Sequence, residues 1–180
     1  MKEALLLAST RGHVEVVQTL FSKHPRGGAS LNDTDSRGNS ALHKAAQYAH
    51  DDVVRFLIQH NCDATQANTD ENTPLMLATR FGHDTTTRIL ITAGADKNRG
   101  DDRGWTSLMR AAANGHEKVL HEMLKTTGDE PLAWDKPDKI GTTALMAACS
   151  WGQTGTATLL LDSEANVLLQ TKPGQTVLHC

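Results

Sequence analysis

Nine histidines and three cysteines are the side chains of this sequence best suited to bind a metal or to act in acid–base and nucleophilic chemistry. A structural zinc site needs four such ligands, commonly arranged as two close pairs. The segment His60-Asn61-Cys62-Asp63 offers two ligands, but no second pair follows at a suitable spacing. The cysteines Cys62, Cys149 and Cys180 are odd in number and show no disulfide pattern, which favours a reducing compartment. We therefore expect no metal site.

Motifs of known enzymatic chemistry are missing from the sequence. It contains no Gly-x-Ser-x-Gly, no phosphate-binding loop, no His-Glu-x-x-His and no dinucleotide fingerprint. The paired carboxylates Asp51-Asp52 and Asp101-Asp102 are interpreted as solvated charges in turns or at helix starts, where the helix dipole favours them. Cys149 is interpreted as an inert residue in a core alanine position. We expect no catalytic residue, no cofactor and no enzymatic activity.

Six of the nine histidines belong to a phrase that recurs along the chain. The phrase consists of a small or hydroxyl residue, a second small residue, leucine, two variable positions and small residues, and it ends in Gly-His or a variant. One copy runs from Thr73 to His83. The marker leucines are Leu5, Leu42, Leu75, Leu108, Leu145 and Leu178, and each is expected to enter the core. The intervals between them are 37, 33, 33, 37 and 33 residues. Self-similarity at such a period predicts an array of supersecondary units.

The residue types at each position of the phrase predict a helix–turn–helix unit. A hydroxyl side chain can N-cap a short helix, and a glycine can end it in a left-handed conformation. These positions hold Ser40, Thr73, Thr106 and Thr143, and Gly12, Gly82, Gly115 and Gly152. Apolar residues at helical spacing then predict a second helix with a buried face. They are Val16, Val17, Leu20, Val53, Val54, Leu57, Val119, Leu120 and Met123, and Phe21 and Phe56 are also expected in the core.

The sequence resembles the ankyrin-repeat family, whose repeats have about 33 residues and a Thr-Pro-Leu-His-x-Ala phrase. The resemblance extends over essentially the whole chain. It implies an all-α solenoid of stacked helix pairs in which polar, glycine-bearing stretches form β-turn fingers. A single domain is expected, with repeats at 1–38, 39–71, 72–104, 105–141 and 142–174 and the start of a sixth at 175–180. The histidines of the phrase are expected to tie adjacent loops together by hydrogen bonds.

Two of the intervals are four residues longer than the others. The additional residues fall in 24–30 and 126–139, between a second helix and the next finger, and the stack is expected to remain intact there. The chain ends within a sixth repeat, and neither end shows the polar outer face of a terminal repeat. We therefore expect a fragment of a longer protein, with a degenerate natural cap as the alternative.

Composition and charge restrict the class of partner. The chain has 180 residues and a formal net charge of −3, which gives no reason to expect nucleic acid or an anionic membrane as partner. No apolar run approaches the roughly 20 residues of a membrane span, so membrane insertion is not expected. The sequence shows no signal peptide. The expected location is the cytoplasm, with the nucleus as the alternative.

Aromatic residues predict where a partner protein would bind. One repeat position reads Arg11, Tyr48, Phe81, Asn114 and Trp151, and Trp105 lies just before the N-cap Thr106. In ankyrins both positions face the concave side, and interfaces favour aromatic and Arg anchors. The predicted partner-binding residues are Tyr48, Phe81, Trp105, Trp151, Arg80, Arg103 and Arg110, with Asp70, Glu71, Asp101 and Asp102 on the fingers. In the alternative interpretation, the rings pack against neighbouring repeats.

Two functions remain open at this stage. The first is a protein–protein interaction module, an adaptor or scaffold that binds through its concave face and fingers. The second is the regulatory or targeting arm of a larger enzyme, channel or effector. The resemblance also suggests a modification. Some eukaryotic ankyrin domains have a sequence pattern in which a finger asparagine is hydroxylated, and Leu90, Asp96 and Asn98 fit that pattern. Lys97 departs from that pattern, and a plain turn asparagine is the expected role of Asn98.

Overall fold

The computed structural model describes residues 1–23, 30–125 and 131–177, and within these ranges it contains ten α-helices and no extended strand. The helices are α1 Lys2–Thr10, α2 Val14–Lys23, α3 Ala41–Gln47, α4 Asp51–Gln59, α5 Pro74–Arg80, α6 Asp84–Thr92, α7 Ser107–Ala113, α8 Glu117–Lys125, α9 Ala144–Ser150 and α10 Thr154–Asp162. Odd-numbered helices pack on one another in order, and even-numbered helices do the same. The result is the predicted all-α solenoid of stacked helix pairs.

Hydroxyl side chains begin the odd-numbered helices. Thr73, Thr106 and Thr143 each accept a hydrogen bond from the backbone N–H three residues later, and Ser40 does so from His43. These bonds satisfy a donor that has no partner within the helix. The prediction of N-caps at these four residues is therefore confirmed.

A left-handed residue ends the first helix of each pair and lets the chain turn into the second. Gly82 has φ +79°, and a Cβ at this position would lie 2.8 Å from the His116 imidazole of the next repeat. Glycine is needed here both for its conformational freedom and for the close approach of the ring. Ala49 occupies the equivalent position of the second repeat at φ +57°, a conformation that is strained for a residue with a Cβ.

The marker leucines form the centre of the core. Leu42, Leu75, Leu108 and Leu145 are at most 1% exposed, which confirms their prediction as core residues, whereas Leu178 lies outside the described residues. The alanines that follow them are also buried and allow neighbouring first helices to approach closely. Along the second helices, Val53, Val54, Leu57, Val119, Leu120 and Met123 are all buried as predicted.

The predicted core of α2 is partly wrong. Val17 is fully buried, but Val16 is 46% exposed and Phe21 is 38% exposed. Val53 is the equivalent of Val16 and lies in α4, which packs between α2 and α6. In the described chain, α2 has a neighbouring second helix on one side only. The Phe21 ring instead meets Phe56 edge-on, with ring centroids 5.8 Å apart.

Each of the two longer intervals includes residues outside the described ranges. Residues 24–29 of the first, and 126–130 of the second, lie outside the described residues. Within 131–139, Leu132 and Trp134 are partly buried against the core. None of the helices in the described ranges has the length and apolar character needed to cross a membrane.

Candidate functional site

Aromatic side chains stand at the same position of three repeats. Tyr48, Phe81 and Trp151 are the C-cap residues of α3, α5 and α9, and they are 50%, 44% and 68% exposed. Asn114 is the C-cap of α7. We call these four residues the C-cap column. Their backbone is held by the helix before them and the left-handed turn after them, so the exposed rings project from fixed points.

Histidines two residues beyond the C-cap column join neighbouring repeats. Each imidazole Nε2 lies within hydrogen-bond distance of a backbone carbonyl oxygen of the preceding repeat. The distances are 2.9 Å from His50 to Thr10, 3.0 Å from His83 to Gln47 and 3.0 Å from His116 to Arg80. The prediction that these histidines tie adjacent loops together is confirmed at all three, and Nε2 must be the protonated, donating nitrogen there.

The same histidines support the exposed rings. The Phe81 and His83 rings stack with centroids 6.2 Å apart and an interplanar angle of 22°, and the Tyr48 and His50 rings lie 6.3 Å apart. On Phe81, the guanidinium of Arg80 lies 5.7 Å from the ring centroid, within the range of a cation–π contact. The Phe81 ring therefore contacts both an imidazole and a guanidinium.

An open groove with a volume of about 680 Å³ lies between the first helices and the fingers. Its helix wall consists of Arg80, Arg110, Ala113, Asn114 and Trp151, and its finger wall consists of Asp70, Asn72, Asp101, Asp102, Arg103 and Trp105. Five of the seven predicted partner-binding residues are thus brought together. Phe81 does not line the groove, but its ring contacts Arg80, which does. Tyr48 lies outside the groove, further along the C-cap column.

Arg110 lies deeper than the other cations of the groove. Its side chain is 11% exposed and forms an ion pair with Asp101, which is 5% exposed, and it also donates a 2.6 Å hydrogen bond to Asn72 Oδ1. Burial lowers the pKa of Arg110, the charge of Asp101 opposes that effect, and nearby Arg80 adds to it. Arg110 therefore fixes a finger to a helix and offers a partner only its exposed edge.

The same connection occurs two repeats earlier. Lys44 Nζ lies 2.7 Å from Asp35 Oδ2, and the two residues are nine apart, as Asp101 and Arg110 are. Burial raises the pKa of Asp35, but the hydrogen bonds from Lys44, Asn39 and Arg37 outweigh it, so the pKa lies well below its usual range. A finger carboxylate and a helix cation thus set the position of the finger in both repeats.

Trp105 forms part of the floor of the finger wall rather than a free anchor. Its ring is half-buried against the core, and its indole Nε1–H donates a 3.1 Å hydrogen bond to Asp138 Oδ2 of the next finger. Its backbone N–H donates to Asp101 Oδ1 at 2.8 Å. A partner would therefore meet an immobilised ring face. By contrast, Arg103 is exposed near the tip of its finger.

Models of known families match nearly the whole chain. A model described as ankyrin repeats in three copies matches residues 2–68 and 61–133, and a single ankyrin-repeat model matches residues 140–172. These matches coincide with the helix pairs described above. The chain belongs to the ankyrin-repeat family.

A curated relative shows similarity over part of this ankyrin-repeat chain. It is the mouse (Mus musculus) protein named ankyrin and armadillo repeat-containing protein, 37% identical over 57 residues. The matched segment covers 32% of this chain and 4% of the relative. The chain therefore corresponds to only a small part of the length of that relative.

Two polar residues of the ankyrin groove, and Ala113 beside them, were not predicted from the sequence as site residues. Asn114 lines the groove as the one polar member of the C-cap column, and Asn72 bridges to Arg110. Repeat register was the available signal for both, because Asn114 is equivalent to Phe81 and Asn72 is equivalent to Trp105. Asn98 lies elsewhere: its side-chain amide donates to Pro131 O and accepts from Ala133 N, each at 2.9 Å.

Proposed function

We propose that this ankyrin-repeat chain is a protein–protein interaction module that binds a partner protein through the groove and the C-cap column. The proposed contact residues are Tyr48, Phe81, Trp105, Trp151, Arg80, Arg103 and Arg110. The observation that carries the proposal is the exposure of three rings in one repeat register beside an open groove. Ankyrin-repeat proteins are generally interaction modules, and the family is typically non-catalytic.

The physical support is the combination of exposure and rigidity. An aromatic side chain that is already held in place loses little conformational entropy on binding, and aromatic and Arg residues are the commonest hot spots of interfaces. The Phe81 ring contacts His83 and Arg80, and Trp151 is the most exposed ring of the C-cap column. The competing interpretation, that rings pack between repeats, describes Trp105 better than it describes Phe81 or Trp151.

The proposal includes a cytosolic or nuclear location and no role for nucleic acid. Cys62 is buried as a thiol whose Sγ lies 3.2 Å from Asn32 Oδ1. Burial, followed by the charge of Asp63, raises the pKa of Cys62 to about 12. Such a thiol is unreactive and fits a reducing compartment. The formal charge of −3 gives no basis for binding a polyanion.

A second candidate function is the regulatory or targeting arm of a larger protein. The mouse relative supports it, because ankyrin and armadillo repeats share one chain there and the matched segment is only 4% of its length. Sequencing the complete reading frame of the transcript distinguishes the two. An additional catalytic or channel domain would favour the regulatory arm, whereas repeats throughout would favour the adaptor.

Truncation of the exposed rings tests the proposed interaction. Partners are recovered from cell extract with the wild-type chain, and each is then titrated against Phe81→Ala and Trp151→Ala. Each substitution is expected to weaken binding roughly 30-fold or more, because loss of a true anchor costs about 2 kcal/mol or more. The thermal stability of both variants should remain near that of the wild type, because the rings are exposed.

Matched controls separate the groove from the rest of the surface. Phe21→Ala removes an exposed ring from α2, and Arg55→Ala removes an exposed cation from α4; neither residue lines the groove. Both should leave binding unchanged. If the ring variants unfold the chain, the rings serve packing and the proposal is wrong. If they change neither folding nor binding, the partner uses another surface.

A further inference from the structure

The two walls of the groove differ in charge. On the helix wall, Arg80 is exposed, and no carboxylate of the described residues lies within 4 Å of its guanidinium. The second cation of this wall, Arg110, is neutralised by Asp101. The helix wall therefore presents two guanidinium groups, of which the carboxylate of Asp101 neutralises one. The remaining charge on this wall is positive.

The finger wall carries an excess of negative charge. Asp70 and Asp102 are exposed there, and neither forms an ion pair within the described ranges. Arg103, at the tip next to Asp102, compensates one of these two charges. Asp101 does not contribute, because its carboxylate binds Arg110 and accepts backbone N–H bonds from Arg103 and Trp105. The free charge of the finger wall is therefore negative.

We propose that the groove binds an extended segment of a partner protein that directs an acidic side chain toward Arg80 and a basic side chain toward Asp70 and Asp102. This inference rests on the proposed function and specifies its ligand. Successive side chains of an extended chain point to opposite sides, so an acidic and a basic residue at adjacent positions, or three apart, would face opposite walls.

The rings that border the groove suit the same ligand. The half-buried ring of Trp105 lies on the finger wall, where it can pack against the aliphatic stem of a Lys or Arg whose charged end reaches Asp102. The exposed ring of Trp151 lies on the helix wall, beyond Asn114. It can receive an apolar residue that flanks the acidic one. The segment would thus combine both charges with a neighbouring apolar side chain.

Selection from a peptide library tests the charge pattern directly. A phage-displayed library of random linear peptides is selected on the wild-type chain, on Arg80→Glu and on the double variant Asp70→Lys, Asp102→Lys, with Arg55→Glu on α4 as the matched control. Wild type and control should enrich peptides with an acidic and a basic residue at an odd separation. Arg80→Glu should lose the acidic preference, and the double variant should lose the basic preference, each by about tenfold in peptide affinity.

The outcomes distinguish this inference from the proposed function. Binding that depends on Trp151 but shows no acidic preference, or an acidic preference that persists in Arg80→Glu, would overturn the charge pattern while the interaction surface stands. Peptides whose binding is unaffected by Trp151→Ala and Phe81→Ala would overturn both. Circular dichroism of each variant shows that it is folded, and Arg80→Gln replaces Arg80→Glu if the reversed charge destabilises the chain.

Discussion

Acid should weaken this fold through the buried imidazole of His43. His43 is fully buried; its Nδ1 lies 2.8 Å from Ser40 Oγ and its Nε2 donates to Asn72 O at 3.0 Å. Burial lowers its pKa from the ordinary 6.5 to about 4, and the carbonyl of Asn72 and the charge of Asp35 only partly oppose this. The neutral imidazole is therefore the form that the folded state favours.

The sign and size of the effect follow from that difference. Between pH 6.5 and pH 4 the unfolded chain binds a proton at His43 that the folded chain does not, so the free energy of unfolding falls as pH falls through this window. The loss amounts to about 2 kcal/mol at pH 5 and about 3 kcal/mol at pH 4, at 1.36 kcal/mol for each unit of pKa difference. Above about pH 7.5 the contribution is complete and constant.

The matched variant for this experiment occurs in the chain itself. Met76, Met109 and Met146 occupy the position of His43 in the third, fourth and fifth repeats and are buried there, so His43→Met introduces a residue that other repeats already bury at this position and removes the titration. Urea unfolding of both proteins from pH 7.5 to pH 4.5 gives their free energies of unfolding. Relative to His43→Met, the wild type should lose about 2 kcal/mol between pH 7.5 and pH 5. Parallel curves for the two proteins would refute the argument, because His43 would then titrate alike in the folded and unfolded states.

Three further predictions concern the stability of the stack. Leu108→Ala should lower the free energy of unfolding by roughly 2–5 kcal/mol, since Leu108 is 1% exposed, and a loss below about 0.5 kcal/mol in urea titration would contradict its core role. Ala49→Gly should stabilise the chain by about 1 kcal/mol by relieving the left-handed backbone at φ +57°, and a lower melting temperature would show that no strain is present there. Amide exchange should be faster from Gly152 to Val177 than from Ser40 to Gly115, because Leu161 and Leu168 are 48% and 80% exposed; uniform protection would contradict this.

Local sequence patterns were sufficient to predict the helix pairs and most of the core. The N-cap hydroxyls, the turn glycines and the marker leucines act within a single repeat, and each of them that lies in the described residues has the predicted role. Burial that depends on a neighbouring repeat was less predictable. Val16 and Val53 have the same residue type and register, yet they differ in burial because α2 and α4 have different numbers of neighbouring second helices.

The groove was predictable in position but not in detail. Register places the C-cap column and the residue before the N-cap on one side of the stack, which brought five of the seven proposed contact residues together. Which of them remain available depends on contacts between distant side chains. Trp105 is fixed by Asp138 of the next finger, 33 residues further along the chain, and no local sequence pattern predicts that bond. The pairing of Arg110 with Asp101 had a signal that went unused, because Asp35 and Lys44 show the same nine-residue spacing.

The hydrogen bonds of the histidines beyond the C-cap column all run in one direction along the stack. At His50, His83 and His116 the later repeat supplies the imidazole and the earlier repeat supplies only a carbonyl oxygen, at Thr10, Gln47 and Arg80. When the last repeat of such a series unfolds, one of these hydrogen bonds is lost and all the earlier ones remain. In a nearest-neighbour description of unfolding, each of these bonds belongs to an interface and none to a single repeat. Gln153 stands in the histidine position of the fifth repeat. The interface between the fourth and fifth repeats therefore has Gln153 in place of the imidazole of the earlier interfaces. When the chain unfolds partially from the C-terminal side, the first stable intermediate should have its boundary there.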